Sequence, residues 1–361
     1  IESGIPTIPE LFLKSFGKIP ALIAIFCVIL LTTPAPYLKI LAILFDFVWD
    51  IPVFWALVLG SFLSIIYAAT GGFSAIVRTD KLQFVLMFSG FAILLSSAWS
   101  KYGGISFLIA NTPEFAFSIP GHFSWTFIFV WGFIALITFI DPGFYQRSFA
   151  GRSLQTVQKG ILISVLFWVI FDGMTVLSGL YALAILPTVE ISPYLDLANI
   201  LLPPFAKGLF LVSLFAIVMS TVDSFTFISA ITIGRDLPTI LGLKLTDDKM
   251  IQLTRVGLGI TAIFSICLAL YFEYAVDIWY LAGSFVVPAL LVPLVAGLYR
   301  CEIYKPVILL LVPPAIAIYW HLRGIAHPSI DGFPTYIWGL DPMYPGVVVS
   351  GILFAILKRS K

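Results

Sequence analysis

The stretch AIVMSTVDSFTFISAITIGRDL, residues 216–237, is apolar enough to cross a bilayer as a helix, yet it carries a polar cluster near its start. The cluster consists of Ser220, Thr221, Asp223 and Ser224, which fall within little more than one helical turn. A carboxylate inside the hydrocarbon region is costly unless it faces a partner or a water-filled cavity. The segment therefore predicts a membrane helix whose polar side chains serve a function.

The composition of the whole chain is typical of a membrane protein. Hydrophobic residues make up 60% of the 361 residues and charged residues only 11%, whereas about a quarter of the residues in soluble domains are charged. The formal net charge of +1 gives no indication of nucleic acid as a partner. The three cysteines lack the spacing of a disulfide framework or a zinc site. We expect an all-α polytopic protein in a lipid bilayer, and the sequence does not indicate its oligomeric state.

Apolar runs of about 17–25 residues, bounded by polar, Gly or Pro positions, predict the transmembrane helices. No linker separates folded domains, so residues 1–361 are interpreted as one transmembrane domain. The wider gaps are rich in Pro, Gly and aromatic residues and are expected to hold short re-entrant or surface helices. Ten helices are predicted, at 18–46, 53–70, 80–98, 124–141, 159–186, 208–231, 250–271, 275–299, 304–321 and 344–358.

Basic residues test this count, because they accumulate in the cytoplasmic loops of membrane proteins. Most of the 20 Lys and Arg residues fall in alternate segments, which include both ends of the chain. The opposite side holds Lys101, Lys207 and Arg323, while Lys39 lies in the outer part of its helix, where it can snorkel. The pattern predicts a multi-pass protein of a plasma or bacterial inner membrane, with both ends of this chain in the cytoplasm.

Acidic residues within predicted membrane helices are candidates for function. Asp172 and Asp223 lie deep within their helices. Asp80 and Asp141 lie at cytoplasmic helix ends, where an interfacial charge or a helix cap explains them equally well. Asp277, near the outer end of its helix, is a weaker candidate.

The polar cluster allows two interpretations. Ser220, Asp223 and Ser224 are spaced i, i+3, i+4 and so share one helix face, which offers only oxygen atoms. A hard cation such as Na⁺ prefers a cage of hydroxyl, carboxylate and carbonyl oxygens. The two serines alone would serve equally well as a small-residue face for helix packing. The carboxylate of Asp223 favours the ion.

Three motifs in order resemble those of the sodium:solute symporters, a family that includes carriers of sugars, proline, pantothenate, sialic acid and iodide. GGFSAIVRTDKLQF (71–84) is similar to the family's Gly-Gly stretch followed by Thr-Asp and Gln. FIDPGFYQRSFAGRS (139–153) is similar to its Thr-Asp-Gln followed by Gln-Arg. Residues 216–237 resemble its Met-Ser-Thr/Ser segment ending in Asp-Leu, and TIPELF (7–12) resembles its Leu-Pro-Glu-Phe loop. The resemblance covers nearly the whole chain.

The resemblance implies a leucine-transporter-like fold of two inverted five-helix repeats, with binding sites near the midplane where helices are interrupted. Aligned through the motifs, residues 18–299 correspond to core helices three to ten and residues 304–358 to two additional helices. The first two core helices have no counterpart here. The chain begins at Ile1, without a signal peptide's charge pattern, and we expect it to be the middle of a longer protein.

The resemblance also implies a sodium site on the eighth core helix. Its ligands are expected to be the hydroxyls of Ser220 and Thr221 and the backbone carbonyl of Ile217. A second sodium position of some members would involve Asp80, Ser220 and Asp223. Two carboxylates sharing a site are stable only with a cation or a proton between them. The resemblance implies that Na⁺ is this cation and the coupling ion.

The substrate site is implied less directly. The helix at 124–141 resembles the interrupted sixth core helix and supplies Thr138 and Asp141, with Pro142 and Gly143 as helix breakers. The family's Asp-Gln reads Asp-Pro here, so no role is transferred from that Gln. Other candidates for lining the substrate site are the side chains of Trp131, Tyr280 and Ser284. Gln146 and Arg147 are expected to make cytoplasmic helix-end contacts.

These observations predict an alternating-access symporter that uses the sodium gradient to accumulate a small organic solute. A proton-coupled carrier, with Asp172 or Asp223 as the proton site, is an alternative, as is a membrane sensor built on a transporter fold. An enzyme is not expected, because the histidines at 122, 321 and 327 fall in outer loops or at a helix end, away from the membrane carboxylates.

Overall fold

A computed structural model describes residues 7–121, 125, 128, 129, 132, 135–188, 192–327 and 334–359. Within these residues the fold is built from α-helices and short 3₁₀ turns, and no strand is present. The all-α prediction is confirmed. The helices are α1 Ile8–Phe16, α2 Lys18–Leu31, α3 Ala35–Trp49, α4 Val53–Tyr102, α5 Ile105–Asn111, α6 Pro142–Phe149, α7 Leu154–Ile185, α8 Pro193–Leu201, α9 Pro204–Ile231, α10 Leu237–Leu241, α11 Asp247–Tyr271, α12 Ala275–Leu298, α13 Pro306–Ile325 and α14 Met343–Leu357.

Seven stretches of the described chain are long and apolar enough to cross a membrane. Two predicted helices, at 53–70 and 344–358, correspond to apolar helices that are shorter, Val53–Ile66 and Met343–Leu357. The predicted helix at 124–141 lies largely outside the described residues. Apart from that segment, the predicted helices are all found as apolar helices, although their bounds differ by several residues.

The predicted helix at 18–46 is interrupted at its middle, between α2 and α3. Pro34 is the N-cap residue of α3 and has no N–H to continue the first helix. The Thr32 hydroxyl lies 2.8 Å from that of Ser229 on α9. The Thr33 hydroxyl lies 3.0 Å from that of Ser265 on α11. Side chains also pair the backbone here, because Ser229 donates a hydrogen bond of 3.0 Å to the Thr32 carbonyl and the Ala35 N–H donates one of 3.4 Å to the Thr33 hydroxyl. These bonds allow a non-helical step inside an apolar segment.

The helix α4 contains a break at Gly72, where φ is 55° and ψ is −154°. Only glycine tolerates this conformation without strain, which places the break eight residues before the predicted helix start at Asp80. The Arg255 side chain donates a hydrogen bond of 3.4 Å to the Ala69 carbonyl, just before the break. A cation at that position stabilises the exposed carbonyls of a helix end. The charged residues around Asp80 therefore lie within a helix and not in a loop.

The chain forms two units, each with its own core. The first unit comprises residues 1–72, 129–151 and 222–361, and the second comprises residues 73–128 and 152–221. The core of the first is built largely from α1, α2 and α12, with Phe12, Ile25 and Leu290 fully or almost fully buried. The core of the second is built around Phe91 and Tyr181. The division falls at Gly72 within α4 and after Thr221 within α9.

Lys39 lies on α3 in the first unit, and its ammonium group is hydrogen-bonded to backbone carbonyls. Its ammonium group donates hydrogen bonds to the carbonyls of Ala269 (3.0 Å) and Phe272 (3.1 Å), at the C-terminal end of α11. Helix C-termini present unpaired carbonyls and a partial negative charge. The lysine expected to snorkel is therefore also a cap for a neighbouring helix.

Candidate functional site

The polar cluster of residues 220–224 lies on α9, which is helical without interruption from Pro204 to Ile231. The helix then continues through a π-turn at Thr232–Asp236 into α10. Since residues three and four positions apart share a helix face, Ser220, Asp223 and Ser224 are arranged as the spacing predicted. Their partners differ, and each is described in turn.

Ser220 contacts the first of the predicted carboxylates. Its hydroxyl donates a hydrogen bond of 2.8 Å to Oδ1 of Asp80, within the second unit. Both residues are half-buried, as are Thr221 and Ile217 on the same helix. The predicted proximity of Asp80 and Ser220 is therefore observed. By donating its proton to Asp80, the hydroxyl keeps its lone pairs for another positive group.

Asp223, the acid of the cluster, is fully buried, with 0% of the residue exposed. Neither of its carboxylate oxygens has a hydrogen-bond partner among the described residues. The hydroxyl of Ser64 on α4 lies close enough to interact with the Asp223 carboxylate, but the two groups do not reach hydrogen-bond geometry. An ionised carboxylate in such surroundings loses several kcal/mol of hydration free energy, so it must bind a cation or a proton to be stable there.

Ser64 is a residue that the sequence interpretation missed. It is fully buried, and so is Ser61, one helical turn earlier on the same helix. The hydroxyls of both serines lack a hydrogen-bond partner within the described part of the chain. The i, i+3 spacing of two serines in an apolar helix was the available signal, but it is common to packing faces and ion sites.

Ser224 has a different partner from the two residues before it. The Arg147 guanidinium donates a hydrogen bond of 3.0 Å from Nη2 to the Ser224 hydroxyl, within the first unit. Arg147 lies in the last turn of α6, consistent with its expected helix-end contacts. A hydroxyl engaged by a guanidinium is a poor additional ligand for a cation. The face of α9 thus divides into an acidic part and a part bound to arginine.

Asp141 caps a helix, which was the alternative interpretation of this acid. It precedes Pro142, the first residue of α6, and its Oδ1 accepts a hydrogen bond of 2.7 Å from the Gly143 N–H. The residues before it, including Thr138, form a 3₁₀ turn at Ala135–Ile140. The predicted interruption at Asp141 and Pro142 is therefore present. Trp131, another predicted substrate residue, lies outside the described residues.

Tyr280 and Ser284, on successive turns of α12, line one small cavity of about 20 Å³ in the first unit. Ile137, next to Thr138, lines the same cavity, whereas Thr138 and Asp141 are not among its lining residues. The cavity also contains Asp341, which precedes α14 and accepts a hydrogen bond from the Tyr280 hydroxyl. The sequence interpretation missed Asp341, because it lies outside the apolar runs.

Two acids stand apart from these groups. Asp172 on α7 is exposed in the second unit, as are most of its neighbours on that helix. Asp277 is exposed in the first turn of α12, where an acidic side chain favours the helix N-terminus. The structure places neither acid within the groups described above.

Comparison with known proteins places this arrangement in a family. The model of the sodium:solute symporter family matches residues 1–303, which include the polar cluster of residues 220–224 and α12. This chain belongs to the sodium:solute symporter family. The resemblance inferred from the three motifs is confirmed. As a symporter-family chain with several apolar helices, it is a multi-pass membrane protein.

Relatives of this symporter-family chain carry the names of sodium-coupled carriers. It is 28% identical over 239 residues to a sodium/glucose cotransporter of Vibrio parahaemolyticus, covering 58% of this chain and 42% of that protein. It is 29% identical over 318 residues to the sodium/pantothenate symporter of Escherichia coli, covering 81% of this chain and 62% of that protein. The chain thus spans between two fifths and two thirds of the length of these relatives.

A solved structure shows the same fold. It is the substrate-bound, outward-open state of a Na⁺-coupled sialic acid symporter, and it matches with a TM-score of 0.73 at 17% identity. The match covers all of this chain and 79% of that one. At this identity the likeness establishes the helical fold of the symporter family, as the motifs predicted.

Proposed function

We propose that this protein couples the entry of Na⁺ to the uptake of a small organic solute by alternating access. Membership of a symporter family supports the general activity. The observation that carries the coupling is the set of carboxylate and hydroxyl oxygens along one helix, which includes a buried acid without a hydrogen-bond partner among the described residues. Such a set has the hard oxygen donors that Na⁺ prefers.

The proposed sodium ligands are the hydroxyls of Ser220 and Thr221, the carbonyl of Ile217, and the carboxylates of Asp80 and Asp223. The hydrogen bond from the Ser220 hydroxyl to the Asp80 carboxylate supports the inclusion of both residues in this set. Because the hydroxyl proton points to Asp80, the lone pairs of Ser220 remain available for the ion. Asp223 lies one turn beyond Ser220 on the same helix face. It either contributes an oxygen directly or favours the ion by its charge.

A proton-coupled carrier is the second candidate, and it rests on the same buried acid. A proton on Asp223 would neutralise the carboxylate as a cation would, and the carboxylic acid would donate to Ser64. Uptake into proteoliposomes of the full-length protein separates the two. With the pH equal on both sides, an inward Na⁺ gradient should drive solute accumulation, and a proton gradient without Na⁺ should not. The opposite result would establish proton coupling.

We propose that the solute binds beside the interrupted segment around Asp141. Support comes from proximity, because Tyr280 and Ser284 line a small cavity with Ile137, a residue of that segment. Thr138, Asp141 and Trp131 remain proposed neighbours of that site.

By the positive-inside rule, residues 234–249 face the cytoplasm, and residues 321–342 face the outside.

A further inference from the structure

A large cavity of the first unit is not part of the proposed ion or solute site. It lies between the part of α4 that precedes Gly72, the end of α9 and the start of α11, and it has a volume of about 730 Å³. Cavities that hold organic ligands typically measure about 300–1,000 Å³. Its apolar walls include Phe227, Ile231 and Leu258. The cavity is thus large enough for a ligand and offers it an apolar surface.

Three charged side chains also line this cavity. Arg235 lies in the π-turn after α9, Asp247 is the first residue of α11, and Arg255 follows it on the same helix. Nε of Arg255 donates a hydrogen bond to the Ala69 carbonyl, and its Nη groups have no hydrogen-bond partner within the described part of the chain. Among the described residues neither arginine forms a salt bridge, although Asp236 is within electrostatic range of Arg235. Both guanidinium groups therefore have donors available for a ligand.

These charges fit a ligand that carries both signs. The planar guanidinium group, with its several N–H donors, suits the oxygens of a phosphate. The carboxylate of Asp247 in the same cavity would repel a second anionic group and attract an ammonium group. Charge complementarity therefore favours a zwitterionic phosphate ester over a purely anionic or a neutral ligand.

The position of the cavity favours a lipid as the source of that phosphate. The helices α9 and α11 belong to stretches that are long and apolar enough to cross a membrane, Pro204–Leu241 and Asp247–Tyr271. The ends of such stretches lie near the lipid headgroups, and arginine side chains reach toward them from within the helix. Beside the cavity, Ile251 and Val256 on α11 are 52% and 57% exposed. This apolar side of the helix suits acyl chains, so a lipid can enter the cavity from the bilayer.

We propose that this cavity binds a phospholipid of the phosphatidylethanolamine class. The phosphate lies between Arg235 and Arg255, the ammonium group contacts Asp247, and an acyl chain lies along Ile231 and Ile251. The inference is independent of sodium coupling and of the identity of the solute, because it uses none of the residues proposed for them.

Lipid binding to the purified full-length protein in detergent tests the proposal, with dissociation constants measured by native mass spectrometry. Phosphatidylethanolamine should bind about two- to fivefold more tightly than phosphatidylglycerol, which lacks the ammonium group and so the ion pair with Asp247. Glycerophosphoethanolamine, the same headgroup without acyl chains, should bind more than about tenfold more weakly, because each buried CH₂ adds to the affinity. Equal affinities for the two lipids would overturn the assignment. Glycerophosphoethanolamine binding as tight as that of the lipid would identify a soluble ligand instead.

Two adjacent acids provide a matched pair of variants. Asp247 and Asp248 are both exposed in the first turn of α11, but only Asp247 lines the cavity. Asp247→Asn should weaken the binding of phosphatidylethanolamine about two- to fivefold, the size of an exposed ion pair, without weakening that of phosphatidylglycerol. Asp248→Asn should change neither affinity. Equal effects of the two substitutions would contradict the role of Asp247.

A second pair tests the phosphate contact. Arg255→Gln should weaken the binding of both lipids about fivefold, because the phosphate is common to them and a basic residue near the membrane surface contributes about that factor. Glutamine keeps an N–H donor for the Ala69 carbonyl. Lys249→Gln, an exposed cation on the first turn of the same helix, is the control and should leave both affinities unchanged. Unchanged binding in Arg255→Gln, or an equal loss in Lys249→Gln, would refute the site. If Arg255→Gln does not fold, the comparison of Asp247→Asn with Asp248→Asn still decides the proposal.

Discussion

Replacing Ser220 by Ala is the most direct test of the proposed ion site. The substitution removes one proposed Na⁺ ligand and also the 2.8 Å hydrogen bond to Asp80. Alanine is at least as good a helix former as serine, so α9 should remain intact. A hydrogen bond to a charged group contributes about 1.5–3 kcal/mol, and each 1.4 kcal/mol is tenfold in affinity. We therefore expect the Na⁺ concentration for half-maximal uptake to rise about 10- to 150-fold.

The assay is solute uptake as a function of Na⁺ in proteoliposomes of the full-length protein, with the amount of folded protein measured in parallel. Ser213→Ala is the control, because Ser213 is buried on the same helix but donates to the Phe210 carbonyl of that helix. It should leave the Na⁺ dependence unchanged. A double-mutant cycle with Asp80→Asn should show non-additive losses, since the two residues are in contact.

The reasoning fails if Ser220→Ala lowers only the amount of folded protein and leaves the Na⁺ activation curve in place. The cluster would then be a packing face, as its small residues also allow. It fails as well if Asp80→Asn and Ser220→Ala are strictly additive, because the hydrogen bond between them would have no part in ion binding.

Three further predictions concern other parts of the chain. Ser64→Ala should raise the Na⁺ concentration needed for half-maximal uptake, because it removes the hydroxyl beside Asp223, whereas Ser61→Ala on the same helix should leave that concentration unchanged. Equal effects of the two substitutions would indicate a packing role for both serines. Gly257→Ala should lower the thermal unfolding temperature, because its Cβ would lie 2.7 Å from the Ala230 carbonyl oxygen and overpacking costs about 1–3 kcal/mol. Gly259→Ala has open space and should be neutral or stabilising. A cysteine at Lys244 should react with membrane-impermeant reagents only from the cytoplasmic side, and strong labelling from outside would reverse the proposed orientation.

The apolar helices were predictable because hydrophobic length is a strong signal. The positions of the breaks were harder to predict. The sequence predicts a helix start at Asp80, because charged residues usually mark the ends of membrane segments, but the break lies at Gly72, where the backbone adopts a positive φ. The sequence predicts a continuous helix through residues 32–36, although this stretch contains Pro34 and Pro36, because prolines in an apolar run often produce only a kink.

For the candidate site, the sequence indicated residues on a shared helix face but not their partners in distant segments. The face of α9 follows from the spacing of Ser220 and Asp223 alone. The contact of Asp223 with Ser64 joins segments about 160 positions apart, and that of Tyr280 with Asp341 has a separation of 61. Spacing along one helix carries no information about such pairs, because tertiary packing decides them.

The buried acid also bears on how Na⁺ can drive a conformational change. A ligand shifts an equilibrium only by the difference between its affinities for the two states, and moving from 1:99 to 99:1 requires about 5.5 kcal/mol. Burying an unpaired carboxylate costs several kcal/mol, which is of the same size. If Asp223 is hydrated in one state and buried in the other, as it is here, then the state with the buried acid is disfavoured until a cation neutralises it. The desolvation of one side chain is thus large enough to supply the energetic link between ion binding and the conformation that holds the solute.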